Sequence, residues 1–175
     1  DEDENTIVEG FDIYEGSANN HETYPDDDYG YGGAVYIKNA SPTFKNCKIR
    51  TSDARFRGSG MYIWSDSNPT IDNCFFEHNT HGEWQTGGAI AIEDASAIIK
   101  NSTFYQNGDN SSYRGGAIYI RSSEDENSYF VDIDNNYFER NGSTSDSVSG
   151  GAIWIYRTTV NINNSHFFKN YAGSY

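Results

Sequence analysis

A right-handed parallel β-helix of about six coils, each turn built from three short strands, is predicted by three features of this 175-residue chain. A glycine-led hexapeptide recurs along it. An Asn-x-x-Phe-x-x-Asn motif follows each copy. Apolar residues alternate with period two inside the hexapeptide, the mark of strands with one buried face.

The hexapeptide reads GGAVYI at Gly32–Ile37, GSGMYI at Gly58–Ile63, GGAIAI at Gly87–Ile92, GGAIYI at Gly115–Ile120 and GGAIWI at Gly150–Ile155, at spacings of 26, 29, 28 and 35 residues. Val35/Ile37, Met61/Ile63, Ile90/Ile92, Ile118/Ile120 and Ile153/Ile155 form its inward pairs. A second strand precedes each Asn, with Ile98 and Ile133 taken as inward residues. A third carries Phe76, Phe104, Phe138 and Phe167, each expected to be buried. Degenerate copies of this motif stand at Asn46/Ile49/Ser52 and Gly10/Ile13/Gly16. Three strands and three corners consume about 27 residues, one turn of such a helix. Coils are expected to start near residues 5, 32, 58, 87, 115 and 150 within a single domain spanning 1–175, read also as a segment of a longer helix. At roughly 4.8 Å per rung, the stack stands about 29 Å tall.

The repeated corner residues have physical roles. Gly-Gly at the strand entrance permits a positive φ, and Asn tolerates the left-handed region as well. Stacked Asn side chains can bond along the column. Two ladders are expected, one through Asn46, Asn73, Asn101, Asn135 and Asn164, the other through Asn79, Asn107, Asn141 and Asn170.

Composition agrees with this reading. There are 17 Gly, 24 Phe plus Tyr and a single Met, with hydrophobics at 35% and aromatics at 15%, which suits a thin, repetitive core rather than helices or disorder. The formal charge of −14 repels phosphate backbones, so nucleic acid is not expected as a partner. No apolar run approaches the roughly 18 residues of a spanning helix. With no initiator Met or signal peptide, the chain is read as mature, trimmed or a piece of something longer.

The paired GGA(I/V) and FxxN tetrapeptides resemble the repeats of chlamydial polymorphic outer-membrane proteins and of bacterial secreted β-helix proteins with a pectin-lyase-like fold. The resemblance runs over residues 5 to 175 and implies an extracellular or cell-surface location. It specifies architecture, whereas the fold hosts lyases, hydrolases, adhesins and passive stalks alike.

Cys47 and Cys74 each follow a ladder Asn, on successive coils and within disulfide reach, in a slot that later holds Ser102, Asn136 and Ser165. Two stacked free thiols and a disulfide are both open readings. Sequons at Asn39, Asn110 and Asn163 should face solvent, while those at Asn101 and Asn141 should be closed off by their ladders. Corner loops at 17–31, 81–86, 108–114 and 142–149, with an insertion at 122–127, are where repeat folds place function. Asp26, Asp27 and Asp28 could offer oxygen ligands to Ca²⁺, but they lack the D-x-D-x-D-G spacing, and a solvated acidic loop is the plainer reading.

The outward hexapeptide face stacks Tyr36, Tyr62, Ala91, Tyr119 and Trp154 in one column and Lys38, Trp64, Glu93, Arg121 and Tyr156 in the next. Tyr36, Tyr62, Trp64, Tyr119, Trp154 and Tyr156 could form platforms for sugar rings; aromatics also ladder along sheets for packing alone. The resemblance to pectate-lyase-like enzymes implies a cleft along this face. Glu93, Arg121 and Lys38 are its candidate catalytic groups, yet no second outward carboxylate adjoins Glu93, and glycoside hydrolysis needs two. Glu93 and Arg121 also make an ordinary cross-strand ion pair.

The first coil lacks a hexapeptide strand ahead of it, and the last residues stop where another Gly-Gly would begin. Such open rungs associate unless covered. The sequence therefore predicts a noncatalytic extracellular building block, structural or adhesive, that self-associates end to end or continues covalently. The alternative is polysaccharide binding or lyase-like cleavage on the aromatic face.

Overall fold

In a computed structural model, residues 5–19, 30–80, 86–108, 114–123, 128–143 and 149–173 are described. Every strand among them pairs in parallel with the equivalent strand of the next coil. Three long sheets result, with six, six and five strands, together with one short pair, Ser17–Ala18 with Asp53–Ala54.

The hexapeptide sheet contains Val35–Lys38, Met61–Trp64, Ile90–Glu93, Ile118–Arg121 and Ile153–Tyr156. The middle sheet contains Ile7–Glu9, Thr43–Lys45, Thr70–Asp72, Ala97–Lys100, Phe130–Asp134 and Thr159–Asn163. The Phe sheet contains Asp12–Tyr14, Lys48–Arg50, Phe75–Glu77, Thr103–Tyr105, Tyr137–Glu139 and His166–Phe168. Registers align every repeated residue with its counterpart, so Met61, Ile90, Ile118 and Ile153 share one column and Phe76, Phe104 and Phe138 another.

One core runs up the axis, through Ile37, Ile63, Ile92 and Ile120 from the hexapeptide sheet, Phe44, Ile71, Ile99 and Ile133 from the middle sheet, and Ile49 and the phenylalanines from the third. Phe76, Phe104, Phe138 and Phe167 stack face to face with ring centroids 4.7–4.9 Å apart and planes within 6° of parallel. Burying such a ring contributes roughly 2–3 kcal/mol, and the rung spacing of a parallel sheet matches the thickness of an aromatic pair.

Two expectations about inward residues are corrected. Ile98 is exposed and its neighbour Ile99 is buried, because Ile99 shares a register with Ile71 and Ile133. Phe167 is 49% exposed although its ring continues the stack. It lies on the last rung, where no further coil covers it.

The corners turn on left-handed residues. The leading glycines Gly32, Gly58, Gly87, Gly115 and Gly150 have φ of 61–73°, and Asn46, Asn73, Asn101, Asn135 and Asn164 have φ of 48–54°. At the second glycine a side chain has no room: a Cβ on Gly116 would collide with the backbone of Gly142 and Gly151.

The two Asn columns differ in kind. Asn79, Asn107 and Asn141 are fully buried, and each amide donates to the side-chain oxygen of the next rung at 2.9–3.0 Å, ending on Asn170. Each amide also donates back to a carbonyl, of Ile49, Phe76 and Phe104 in turn, at 2.8–3.0 Å. Each side-chain oxygen from Asn107 onward further accepts the backbone N–H of the preceding ladder residue. The other column is exposed, and three of its members bond to acids instead: Asn46 to Glu9, Asn101 to Asp72 and Asn164 to Asp134. Asn101 is thus open to solvent, against expectation, with its amide group engaged on both sides.

Beside that outer column runs a ladder of alternating charge. Glu9, Lys45, Asp72, Lys100 and Asp134 are register neighbours on the middle sheet, with Lys100 Nζ 3.6 Å from Asp72. Sliding the sheet by one coil would oppose like charges, so the column specifies register more than it stabilises.

Candidate functional site

The hexapeptide face is where the sequence places its candidate chemistry. The strand phase is as expected: Met61 and Ile63 belong to the axial core, while Tyr62, Ala91 and Tyr119 form a second cluster on the outer side of the same sheet. That side is covered rather than open. Tyr62 is 4% and Tyr119 1% exposed, with Tyr31, Trp64 and Trp154 packed against them.

The organising residue is Arg57, which sequence reading did not single out. It sits in the bridge column Tyr31, Arg57, Thr86, Arg114, Ser149 that leads into the hexapeptides. Ala91 interrupts the aromatic column and leaves a side-chain-sized gap between Tyr62 below and Tyr119 above. The Arg57 guanidinium lies about the same distance from the rings of Tyr31 and Tyr119, 5.9 and 6.0 Å, and donates to Glu93 Oε2 at 2.7 Å. Cationic groups at such distances are attracted by the ring faces.

Glu93 is the hub. Tyr62 donates its hydroxyl to the same Oε2 at 2.7 Å, and Arg121 lies 3.8 Å from Oε1. The carboxylate is 6% exposed, with both oxygens occupied. Burial, followed by the charge and hydrogen bond of Glu93, pushes the Tyr62 phenol well above its ordinary value; burial does the same to Tyr119. Burial works against the Arg57 cation, but Glu93 together with Tyr119, Tyr31 and Tyr62 outweighs it and holds the guanidinium above its usual pKa. Tyr62 and Tyr119 are thus pushed further from titration near neutral pH, and so is Arg57, the opposite of what acid–base chemistry requires of a proton donor or acceptor.

The remaining candidates are placed as follows. Lys38 lies over the Trp64 ring at 4.4 Å, away from Glu93's two arginines. Tyr36 stacks on Tyr62 at 5.6 Å and is 37% exposed. Trp154 is sandwiched, with Tyr119 at 4.9 Å and the Arg114 guanidinium at 4.8 Å, and Tyr156 packs beside it at 5.8 Å while remaining 48% exposed. The sheet therefore brings together Tyr62, Glu93, Tyr119 and Arg121, but not Lys38.

The disulfide is not formed. Cys47 and Cys74 are rung neighbours and buried, but both are free thiols. Cys47 Sγ lies 3.4 and 3.3 Å from the carbonyls of Val8 and Lys45, and Cys74 Sγ 3.6 and 3.5 Å from those of Phe44 and Asp72. Burial pushes the Cys74 thiol up to about 11, so it stays protonated and inert at neutral pH. Asn39 and Asn163 are exposed, as expected of sequons. Asn110 and the Asp26–Asp28 run lie outside the described residues, among which no cluster of His, Cys, Asp and Glu could hold a metal ion. No helix among them is long and apolar enough to cross a membrane.

Parallel sheets wound into one solenoid, with an apolar axis and Asn-laddered corners, define a parallel β-helix repeat protein. The family described as right handed beta helix region matches residues 4–175, and the chain belongs to it. Comparison with curated proteins and with solved structures returned no match. The narrower likeness to chlamydial polymorphic outer-membrane proteins rests on the repeat motifs alone.

Proposed function

We propose that this chain is a noncatalytic structural segment of an extracellular or cell-surface β-helix, a stiff building block that spaces or presents other surfaces. One observation carries the reading. The hexapeptide face, with its aromatic stacks and central carboxylate, is filled among the described residues by its own side chains, and Glu93 is engaged by Arg57, Tyr62 and Arg121. A sugar ring would have to displace this packing before touching Tyr62 or Tyr119. A lyase would need a free base and a vacant cation to neutralise the uronate, and a hydrolase would need a second carboxylate.

Incubation with acidic and neutral polysaccharides tests the reading. The expected result is no release of unsaturated or reducing ends and no retention on immobilised glycans. Release of ends that is lost in both Glu93→Gln and Arg121→Ala, with each variant's circular dichroism unchanged, would contradict it.

A further inference from the structure

The outer side of the Phe sheet is electrically neutral on a chain that carries −14. One outward column runs Asp12, Lys48, Phe75, Thr103, Tyr137, His166, and the next runs Tyr14, Arg50, Glu77, Tyr105, Glu139, Phe168. A third column of left-handed corner residues begins at Glu15 and ends at Arg140 and Lys169. The acids Asp12, Glu15, Glu77 and Glu139 are cancelled by the bases Lys48, Arg50, Arg140 and Lys169. Two copies would meet on this face without net repulsion.

The face has relief as well as charge. Toward its N-terminal end, Asp12, Lys48, Arg50, Phe75 and Glu77 line a groove of about 510 Å³. Arg50 is fixed there by donating to both oxygens of Asp12, at 2.8 and 2.9 Å, and lies 5.2 Å from the Tyr14 ring. Toward the other end, Tyr137 is 38% exposed on the strand that also carries Glu139. One half of the face thus offers a groove with a cationic wall, and the other an exposed ring beside a carboxylate.

Charge selects how two such faces oppose each other. In a two-fold pair with parallel helix axes each rung faces itself, and Lys48 and Arg50 meet Lys48 and Arg50. In an antiparallel pair with the two-fold between the Phe75 and Thr103 rungs, each column faces itself in reverse order. Arg50 then meets Glu139, Glu77 meets Tyr105, and Glu15 meets Lys169, with no like charges directly opposed among the described residues. Tyr137 comes opposite Lys48, at the groove, where a cation and neighbouring carboxylates suit its ring and its hydroxyl. Moving the two-fold by half a rung sets Glu77 against itself or against Glu139, which costs affinity.

We infer that the outer face of the Phe sheet is a self-recognition surface on which two copies pair side by side with antiparallel axes. Each inserts Tyr137 into the other's groove, and two Arg50–Glu139 ion pairs form across the two-fold. The inference goes beyond the reading of the chain as a building segment and is independent of whether the chain is catalytic. Six rungs by one strand and its corner residue give a face of roughly 29 by 13 Å, too small for a permanent dimer, so the pairing is weak and reversed by dilution. Sedimentation equilibrium up to about 1 mM is expected to show a monomer–dimer equilibrium that weakens with added salt. Arg50→Glu and Glu139→Arg, with circular dichroism unchanged, should each weaken self-association by at least about tenfold, because each homodimer opposes like charges twice. An equimolar mixture of these two variants should recover the parent's affinity, since in the mixed pair position 50 of each copy meets the opposite charge at position 139 of the other. A chain that stays monomeric throughout, variants that pair as tightly as the parent, or a mixture no tighter than its components would overturn the inference.

Discussion

Asn107→Ala is expected to destabilise the chain by about 4 kcal/mol or more, at the upper limit for a single substitution. The side chain is fully buried and makes four bonds. Its oxygen accepts from the backbone and the amide of Asn79, and its amide donates to Phe76 O and to Asn141. Removing it strands the Asn79 backbone N–H and one hydrogen of the Asn79 amide in the apolar axis, each costing about 1–3 kcal/mol, and takes a second donor from the Phe76 carbonyl. Asn101→Gly, in the exposed column, should cost under about 1 kcal/mol: its partners are exposed, and glycine accepts the φ of 54°. Urea unfolding of the two variants checks the contrast. Similar losses would mean that the ladders are equivalent and that burial does not set their value.

Glu93→Ala is expected to cost about 3–5 kcal/mol, because it leaves Arg57 packed between aromatic rings without its counter-charge. The same substitution strips the Tyr62 hydroxyl of its acceptor. The loss belongs to the broken pair rather than to the carboxylate alone. Glu93→Gln combined with Arg57→Met should therefore recover most of it, since replacing a buried pair by neutral groups of similar volume is often neutral or better. Denaturant unfolding of the single and double variants measures the coupling. A double variant no more stable than Glu93→Ala would show that the pair is not what holds this face together.

Most of the fold was legible in the sequence because it is written repeatedly. Five hexapeptides fix the phase of one sheet, and Phe76, Phe104, Phe138 and Phe167 fix that of another. The middle sheet has no such signature, so the sequence alone does not separate Ile98 from Ile99, and only the register with Ile71 and Ile133 makes Ile99 the inward residue. Its clearest signal is a charge alternation, since the residues before Asn46, Asn73, Asn101 and Asn135 are Lys45, Asp72, Lys100 and Asp134, in register. The candidate site was legible only in part. The columns containing Tyr62, Glu93 and Tyr119 follow from strand phase, but whether that face is open depends on Arg57, which reaches from one coil to a carboxylate on the next through the gap at Ala91. No repeat motif encodes such a contact. The exposure of Phe167 was missed for a different reason, since a column's membership is set by sequence while its burial requires a rung on either side.

The central claim, that the hexapeptide face is a closed packing spine, is tested most directly by tyrosine nitration of the native chain mapped by mass spectrometry. Tyr62 and Tyr119 should remain unmodified while Tyr14, Tyr137 and Tyr156, at 57%, 38% and 48% exposure, react. Modification of Tyr62 and Tyr119 at rates comparable to Tyr156 would mean that the face stands open, and would contradict the account.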